Sequence, residues 1–273
     1  MSDGAAHKLS LSPGYELLKQ YRIESVLGEG GFGITYKAVD LTLNRYVAIK
    51  ECIPVDFATR EGTTVCARST AAQDDYEWAI QRFMEEARTL AQFDHPAIVK
   101  VYDIIEANGT SYMVTRYEPG WTLPDYLEAM GRTLKEEEIR AFLYPLLEGL
   151  EQVHDAGYLH RDIKPDNIYI TEQGQPLLLD FGSARQAVGH RSRPMTSVLS
   201  PGYAPFEQYH DDGNQGPWSD LYSLAACVHY MLRNEPPPDA ATRERNDPYE
   251  PLATDPQFAN SYRFPLLRAI DQS

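Results

Sequence analysis

The sequence lacks the features that would place this segment in a membrane or outside the cell. No unbroken apolar run within its 273 residues approaches the ~20 residues that a membrane-spanning helix needs. The N-terminus has no apolar core of the kind found in secretory signal peptides. Only three cysteines are present, without the spacing of a metal site, and their odd number fits reduced thiols. We therefore expect a cytoplasmic location and no membrane contact by this segment.

Positive charge is also scarce. The 25 basic residues are outnumbered by 40 acidic ones, which gives a formal net charge of −15. Nucleic acids and membrane surfaces are anionic, so this charge balance disfavours both as partners. Internal repeats and low-complexity tracts are absent as well, and the length allows a sizeable buried core.

The texture of the sequence changes along the chain from strands to helices. Residues 1–20 are mixed in character, and we expect a poorly ordered lead-in there. Over residues 21–118, alternating apolar runs predict five strands, and the segment 74–93 predicts one helix. From residue 119 to residue 273 the apolar residues recur mostly with a helical period. The sequence therefore predicts an α+β protein with a boundary between residues 118 and 119.

The connection from Cys52 to Gln73 is long and polar, without clear periodicity. We expect a loose surface loop at this place. A regulatory or partner-binding insert is the alternative.

Four glycines stand between two predicted strands, in the stretch Gly28-Glu29-Gly30-Gly31-Phe32-Gly33. Glycine in a strand marks a bulge or a place where the backbone comes close to another group. In dinucleotide-binding folds such a pattern runs from a strand into a helix, whereas here a second strand follows. A hairpin of this kind can cover phosphates and donate backbone N–H groups to them. For the pattern taken alone, an ordinary glycine hairpin remains the alternative.

Lys50 ends the apolar strand "VAIK". A lysine in this position is commonly an edge residue that extends into solvent. A phosphate-covering loop, however, needs a cation beneath it, and that cation needs an anionic partner. Glu86 and Glu85 on the predicted helix are both available. Glu86 is favoured because its helical face also carries Phe83 and Leu90.

The stretch "HRDIKPDN" directly follows a long predicted helix. Asp162 can accept a proton from an attacking hydroxyl, and Lys164 can neutralise charge on a transferred group. Asn167 offers a metal-binding oxygen, and Asp180, at the end of the strand "LLLD", offers a second. Mg²⁺ prefers a small number of protein oxygens together with substrate phosphates, which suits this pair.

These motifs, taken in order, resemble the eukaryotic-like (Hanks-type) serine/threonine protein kinases. The order is the glycine loop, "VAIK", the helix glutamate, "HRDIKPDN", "DFG" and "APFE". The stretches "GFGITYKAVD" and "GYAPFEQY" look most like bacterial members, and the resemblance runs from Tyr21 to the end. It implies a bilobal fold with a five-stranded antiparallel N-lobe and a mainly helical C-lobe. It also implies a signalling enzyme that transfers the γ-phosphate of ATP to proteins with Mg²⁺ or Mn²⁺.

The resemblance further implies roles for individual residues. The residues implied to contact ATP are Leu27, Gly28, Gly30, Gly31, Phe32, Gly33, Ala48, Lys50, Thr115, Arg116, Glu118 and Tyr169. Lys50 would pair with Glu86, and Thr115 would be the gatekeeper. Lys164, two positions after Asp162, is the pattern of serine/threonine rather than tyrosine kinases.

By the same resemblance, Asp162 and Lys164 would act on the substrate hydroxyl and the γ-phosphate, and Asn167 and Asp180 would hold the metal. The segment from Ser183 to Tyr203 is rich in arginine and in hydroxyl side chains. Arg161 is the residue type that binds a phosphate on such a segment.

We expect autophosphorylation of the activation segment at Thr196 or Ser197. Ser200 falls where the family usually has a threonine next to the substrate. A basic, merely solvated loop is the alternative for this segment.

The C-terminus departs from the family pattern. Glu207 in "APFE" is the family's ion-pairing glutamate, whose arginine partner lies in the last helix of the C-lobe. The sequence ends at Ser273 before that arginine, and Arg268 lies too early to replace it. We therefore expect a fragment of a longer protein with a truncated C-lobe. A homodimer through that C-lobe or through the activation segment is expected to follow.

Two other functions remain open. A pseudokinase would bind nucleotide as a scaffold without phosphotransfer, but the full set of Lys50, Glu86, Asp162, Asn167 and Asp180 argues against it. A small-molecule kinase of the same fold is disfavoured by the "HRD" arginine and the "APFE" element.

Overall fold

The computed structural model describes residues 9–181, 185–186, 199–210 and 213–250. The chain divides into two compact units. The first contains the residues up to Asp94 together with Val99–Glu118, and the second contains His95–Ile98 and the residues from Pro119 onward.

The first unit is built mainly of strands. Its elements are β1 (Glu16–Leu17), β2 (Tyr21–Gly30), β3 (Gly33–Asp40), β4 (Arg45–Cys52), β5 (Ala58–Glu61), β6 (Thr64–Ala67), α1 (Gln73–Leu90), β7 (Val101–Ala107) and β8 (Thr110–Arg116). Six strands form one antiparallel sheet in the order β1-β2-β3-β4-β8-β7. The five predicted strands are confirmed, and the two-residue β1 is an addition at the edge.

Alternation along the central strands separates the two faces of this sheet. In β3, Ile34, Tyr36 and Ala38 are buried, while the residues between them are partly exposed. Val47 and Ile49 of β4 are fully buried and belong to the same apolar cluster. Successive side chains of a strand point to opposite faces. The other face therefore carries the remaining residues of β3 and β4, among them the partly exposed side chains relevant to the candidate site.

The expectation of a poorly ordered lead-in is wrong for residues 9–20. Leu11 and Leu17 are only 3% and 1% exposed and join the apolar cluster of the sheet. The N–H of Gly14 also donates to the carbonyl of Ile23. Apolar burial, which the mixed composition of the segment conceals, therefore holds it against β2.

The expectation of a loose loop between Cys52 and Gln73 is also wrong. The strands β5 and β6 pair with each other as an antiparallel hairpin. Ala58 and Val65, with 0% and 2% exposure, belong to the apolar cluster of the main sheet. The hairpin is therefore a packed part of the first unit.

The second unit is mainly helical. Its elements are β9 (Gly120–Thr122), α2 (Leu123–Met130), α3 (Glu136–Asp155), β10 (Tyr158–Leu159), β11 (Ile168–Thr171), β12 (Pro176–Leu178), β13 (Arg185–Gln186), α4 (Pro217–Arg233) and α5 (Ala240–Arg245). Thr122 caps the N-terminus of α2, because its hydroxyl accepts the N–H of Asp125. Within the described ranges, no helix has both the length and the apolar character that crossing a bilayer requires.

The helix α4 is buried on nearly all sides, as its continuous apolar sequence predicts. Three short strands, in the order β12-β11-β9, form a small separate sheet in this unit. The β11–β12 hairpin and the loop before it position most of the candidate site residues of the second unit.

Candidate active site

The glycine stretch joins β2 to β3, but only Gly31 and Phe32 form the turn, because Gly28 and Gly30 already pair with β3 at the end of β2 and Gly33 begins β3. A Cβ added to Gly28, Gly30 or Gly31 would have no neighbour within 4 Å, so these positions leave open space above the backbone. Gly33 differs, because a Cβ there would collide with the carbonyl oxygen of Glu51 in β4. Gly33 is therefore required by strand packing, whereas the other glycines leave the loop open for close approach by another molecule.

Lys50 and Glu86 lie next to each other. The Lys50 Nζ is 4.0 Å from Oε1 of Glu86, and the two side chains are only 19% and 8% exposed. Glu85 is 58% exposed and pairs with Arg82 instead. The helical face of α1 thus presents Glu86 rather than Glu85 to the strand that carries Lys50.

Other candidate nucleotide-binding residues of the first unit lie in or next to the sheet that carries Lys50. Ala48 pairs with Thr115 across β4 and β8, which places both side chains on the same face as Lys50. Thr115 is 7% exposed, and its hydroxyl donates to the Ala48 carbonyl over 3.4 Å. Leu27 and Phe32 are about half exposed, at 47% and 46%.

The segment that follows β8 contains the predicted adenine-edge residues. The N–H of Arg116 donates to the Lys100 carbonyl over 2.9 Å. The Arg116 and Glu118 side chains form an ion pair with each other. The backbone bond from Arg116 to Lys100 thus holds the end of β8 in place.

Asp162 is the centre of a hydrogen-bonded cluster in the second unit. Its Oδ2 accepts hydrogen bonds from Lys164 Nζ and from Asn167 Nδ2, both over 2.9 Å. Its Oδ1 accepts the hydroxyl of Ser200 over 2.9 Å. The carboxylate is nevertheless 28% exposed, and so is the Lys164 side chain. The structure thus brings together four predicted site residues: Asp162, Lys164, Asn167 and Ser200.

Asn167 and Asp180 lie at the same end of the β11–β12 hairpin. Asn167 directly precedes β11, and its carbonyl accepts the N–H of Leu179, the residue before Asp180, over 2.9 Å. Because Asn167 Nδ2 is bonded to Asp162, the amide oxygen is the atom it can offer to a ligand. Asp180 has a φ of 52°, a left-handed conformation that non-glycine residues adopt at a cost of about 1–3 kcal/mol. One amide oxygen and one carboxylate fit a Mg²⁺ ion that also binds phosphates.

Tyr169 is the second residue of β11. It pairs with Thr122 of β9 and is partly exposed. Its ring is also close to Gly120, where an added Cβ would approach Tyr169 Cε1 to 2.9 Å.

Asp220 supports the loop that carries Asp162, although none of the sequence motifs includes it. Its side chain is fully buried at the start of α4. Its carboxylate accepts the backbone N–H groups of His160 and Arg161, over 2.9 and 2.8 Å, and a bond from His154 Nε2 over 2.8 Å. Burial by itself would raise the pKa of this carboxyl, but these bonds hold it below its usual range. Asp220 therefore holds the backbone of the two residues before Asp162 in place. An acid in the first turn of an otherwise apolar helix is the sequence feature that could have revealed it.

His160 is fully buried, and burial lowers the pKa of its imidazole. The ring packs against Phe181 in a tilted arrangement, with a centroid distance of 4.3 Å and an interplanar angle of 45°. The N–H of Asp162 donates to Nδ1, so the Nε2–H donates to the Leu179 carbonyl over 3.1 Å. A neutral histidine thus connects the backbone of Asp162 to the backbone next to Asp180.

The activation-segment predictions are only partly within the described residues. Arg161 has a φ of 66°, and its carbonyl accepts Nε2 of Gln208 over 3.3 Å. The Glu207 carboxylate accepts the hydroxyl of Ser219 over 2.5 Å. Thr196, Ser197 and Arg268 lie outside the described residues.

Comparisons with known proteins agree with this geometry. The family model described as "Protein kinase domain" matches residues 21–256. A probable serine/threonine-protein kinase of Streptomyces coelicolor is 34% identical over 271 residues, which cover 92% of this chain and 37% of that protein. The serine/threonine-protein kinase PknA of a Nostoc species is 33% identical over 234 residues, which cover 82% of this chain and 38% of that protein. The chain thus spans less than two fifths of the length of these two relatives.

A solved structure titled "PpkA-294 apo form" is 40% identical and superposes with a TM-score of 0.80. The match covers 96% of this chain and 92% of that one. This similarity confirms the predicted α+β fold class, with a strand-rich N-lobe and a mainly helical C-lobe.

Proposed function

Because the chain belongs to the family of Hanks-type serine/threonine protein kinases, we propose that it transfers the γ-phosphate of ATP to serine or threonine hydroxyls of proteins, with Mg²⁺ or Mn²⁺ as the metal. The observation that carries the proposal is the environment of Asp162. Its carboxylate is partly exposed and accepts a hydroxyl from Ser200 over 2.9 Å, the type of contact that a substrate hydroxyl requires.

Each residue of the cluster has a distinct role in this proposal. Asp162 orients the substrate hydroxyl and accepts its proton. Lys164, held 2.9 Å from Asp162, offsets negative charge on the transferred phosphoryl group. Phosphoryl transfer of this kind depends chiefly on positioning and charge, so the loss of one of these groups lowers the rate by orders of magnitude.

The remaining site residues are proposed to bind ATP and its metal. The open glycine turn covers the phosphates, and Lys50 contacts them while Glu86 holds the lysine in place. Asn167 and Asp180 offer the two oxygens that fit a divalent ion. Such an ion, when bound, neutralises part of the phosphate charge.

Autophosphorylation of the activation segment at Thr196 or Ser197 is a further part of the proposal. Arg191 and Arg193, close in sequence, and Arg161 support phosphorylation at these positions. Guanidinium groups bind phosphate in a bidentate manner. Mass spectrometry of the protein after incubation with ATP tests it. Full activity with both hydroxyls unmodified would contradict this part of the proposal.

The main test uses radiolabelled ATP and a generic protein substrate. We expect label on the protein from the wild type and none from Asp162→Ala. Asp155→Ala, which removes an exposed carboxylate at the end of α3, is the control and should retain activity. Nucleotide binding without any transfer would instead support a pseudokinase, and label on small molecules alone would support a small-molecule kinase.

A further inference from the structure

Glu51, the neighbour of Lys50 on β4, is a fully buried carboxylate. Lys50 and Glu51 point to opposite faces of the sheet, so Glu51 lies on the core side of the same strand. Its Oε1 accepts the hydroxyl of Tyr112 over 2.6 Å, and its Oε2 accepts the hydroxyl of Tyr36 over 2.7 Å. Arg60 forms an ion pair with Oε2 in which both side chains are at most 5% exposed.

Two segments outside the sequence motifs contribute to this network: the β5–β6 hairpin contacts Glu51 directly, and the residues before β1 contact its partners. Arg60 belongs to the β5–β6 hairpin, and its guanidinium also donates to the carbonyls of Leu9 and Thr63. The Tyr36 hydroxyl accepts the backbone N–H of Leu11 over 3.0 Å. Leu9 and Leu11 precede residue 21, where the family match begins.

The hydrogen bonds around this carboxylate form a connected network. Burial, and then the charge of Glu51, raises the pKa of both tyrosine hydroxyls, which therefore stay protonated and act as donors. Asn108, in the β7–β8 turn, donates to the Tyr112 hydroxyl over 2.8 Å. Burying a carboxylate lowers the stability of the folded protein unless donors of this kind compensate it. The loss of one donor therefore leaves a buried charge only partly compensated.

We propose that Glu51 is a positioning residue for Lys50, and that the β5–β6 hairpin and the segment containing Leu9 and Leu11 hold β4 in place through it. The inference rests on the proposed function, since it assigns Lys50 to ATP. Three side chains bind Glu51 on the core side of β4: Tyr36, Tyr112 and Arg60 of the hairpin. The N-terminal segment contacts two of them, because Arg60 donates to the Leu9 carbonyl and the Leu11 N–H donates to Tyr36. The hairpin and the N-terminal segment therefore help to position Lys50 for the proposed binding of ATP.

Tyr36→Phe tests this in the full chain, because it removes one donor to Glu51 and the acceptor for Leu11. Tyr21→Phe is the matched control. Tyr21 is also buried in the sheet, and its hydroxyl donates to Asp103 over 3.3 Å rather than to Glu51. We expect Tyr36→Phe to lower kcat/KM for ATP about tenfold with an unchanged KM for the protein substrate, and Tyr21→Phe to change it less than about twofold. Equal effects of the two variants, or a loss only of thermal stability in Tyr36→Phe, would overturn the proposal.

A second measurement does not depend on phosphotransfer. Hydrogen–deuterium exchange of a peptide that covers β4 should become faster in Tyr36→Phe than in Tyr21→Phe, and the Kd for ATP should rise only in Tyr36→Phe. If the wild type binds ATP but transfers no phosphate, the proposed function fails while these two readouts still decide the role of Glu51. Unchanged exchange and an unchanged Kd in Tyr36→Phe would refute that role even in a fully active kinase.

Discussion

The Ser200 hydroxyl donates to Oδ1 of Asp162 over 2.9 Å, although the two residues are 38 positions apart. The other oxygen, Oδ2, accepts bonds from Lys164 and Asn167. Both oxygens of the proposed catalytic base are therefore held by named donors, and Ser200 is the one that belongs to a different segment of the chain.

Ser200→Ala should lower kcat about tenfold, because one oxygen of Asp162 then loses the donor that orients it. Ser200→Thr retains a hydroxyl at the same position and should stay within about threefold of the wild type. Steady-state kinetics with a protein substrate measure both. If the alanine variant is as active as the threonine variant, the bond to Asp162 does not matter for catalysis.

The pair of neighbouring glutamates on α1 offers a second comparison. Glu86→Gln removes the charge that lies 4.0 Å from Lys50 and should lower kcat/KM for ATP by about tenfold or more. Glu85→Gln removes an exposed charge that pairs with Arg82 and should have little effect. Both variants should keep the folded structure, which circular dichroism can verify. A larger loss in Glu85→Gln than in Glu86→Gln would contradict the assignment of Lys50 to ATP.

The sequence predicts those parts of the fold and the site that depend on local patterns. Alternation in β3 and β4 is a property of neighbouring residues and locates both strands. The cluster of Asp162, Lys164 and Asn167 lies within six positions, so a single motif contains it. Glu86 is identifiable because helical spacing places it on the face of Phe83.

Residues whose partners are distant in the sequence escape such analysis. The partners of Asp220 lie 59 to 66 positions earlier, in the loop around His160 and at the end of α3. The same holds for Arg60, which donates to a carbonyl 51 positions earlier. Its hairpin appears as a polar loop in the sequence, since its order comes from tertiary contacts rather than from periodicity.

Buried histidines predict a loss of stability in mild acid. Burial lowers the pKa of both His160 and His229 below the usual value of about 6.5, so folding favours their neutral forms. In the unfolded chain they take up protons as the pH falls below that value. The stability present above pH ~6.5 is therefore lost toward lower pH, by up to about 1.4 kcal/mol per histidine and pH unit until the folded pKa is reached.

Thermal unfolding measured from pH 8 to pH 5 checks this expectation. His229→Gln should reduce the slope of Tm against pH, because one of the two buried groups is removed. Equal slopes in the wild type and in His229→Gln would show that burial of this histidine does not contribute to the acid sensitivity.

The glycine turn allows folding and ATP binding to be separated. A Cβ at Gly33 would collide with the Glu51 carbonyl, so Gly33→Ala must displace β3 from β4 and should lower the free energy of unfolding by about 2 kcal/mol or more. A Cβ at Gly30 has no neighbour within 4 Å, so Gly30→Ala should unfold within about 2 °C of the wild type.

If this turn covers the phosphates of ATP, Gly30→Ala should nevertheless raise the KM for ATP severalfold, because the added methyl group keeps the backbone away from them. Thermal unfolding and ATP titrations of the two variants measure both effects. A Gly30→Ala variant with wild-type stability and wild-type KM for ATP would mean that the open space above this glycine is not used by the nucleotide.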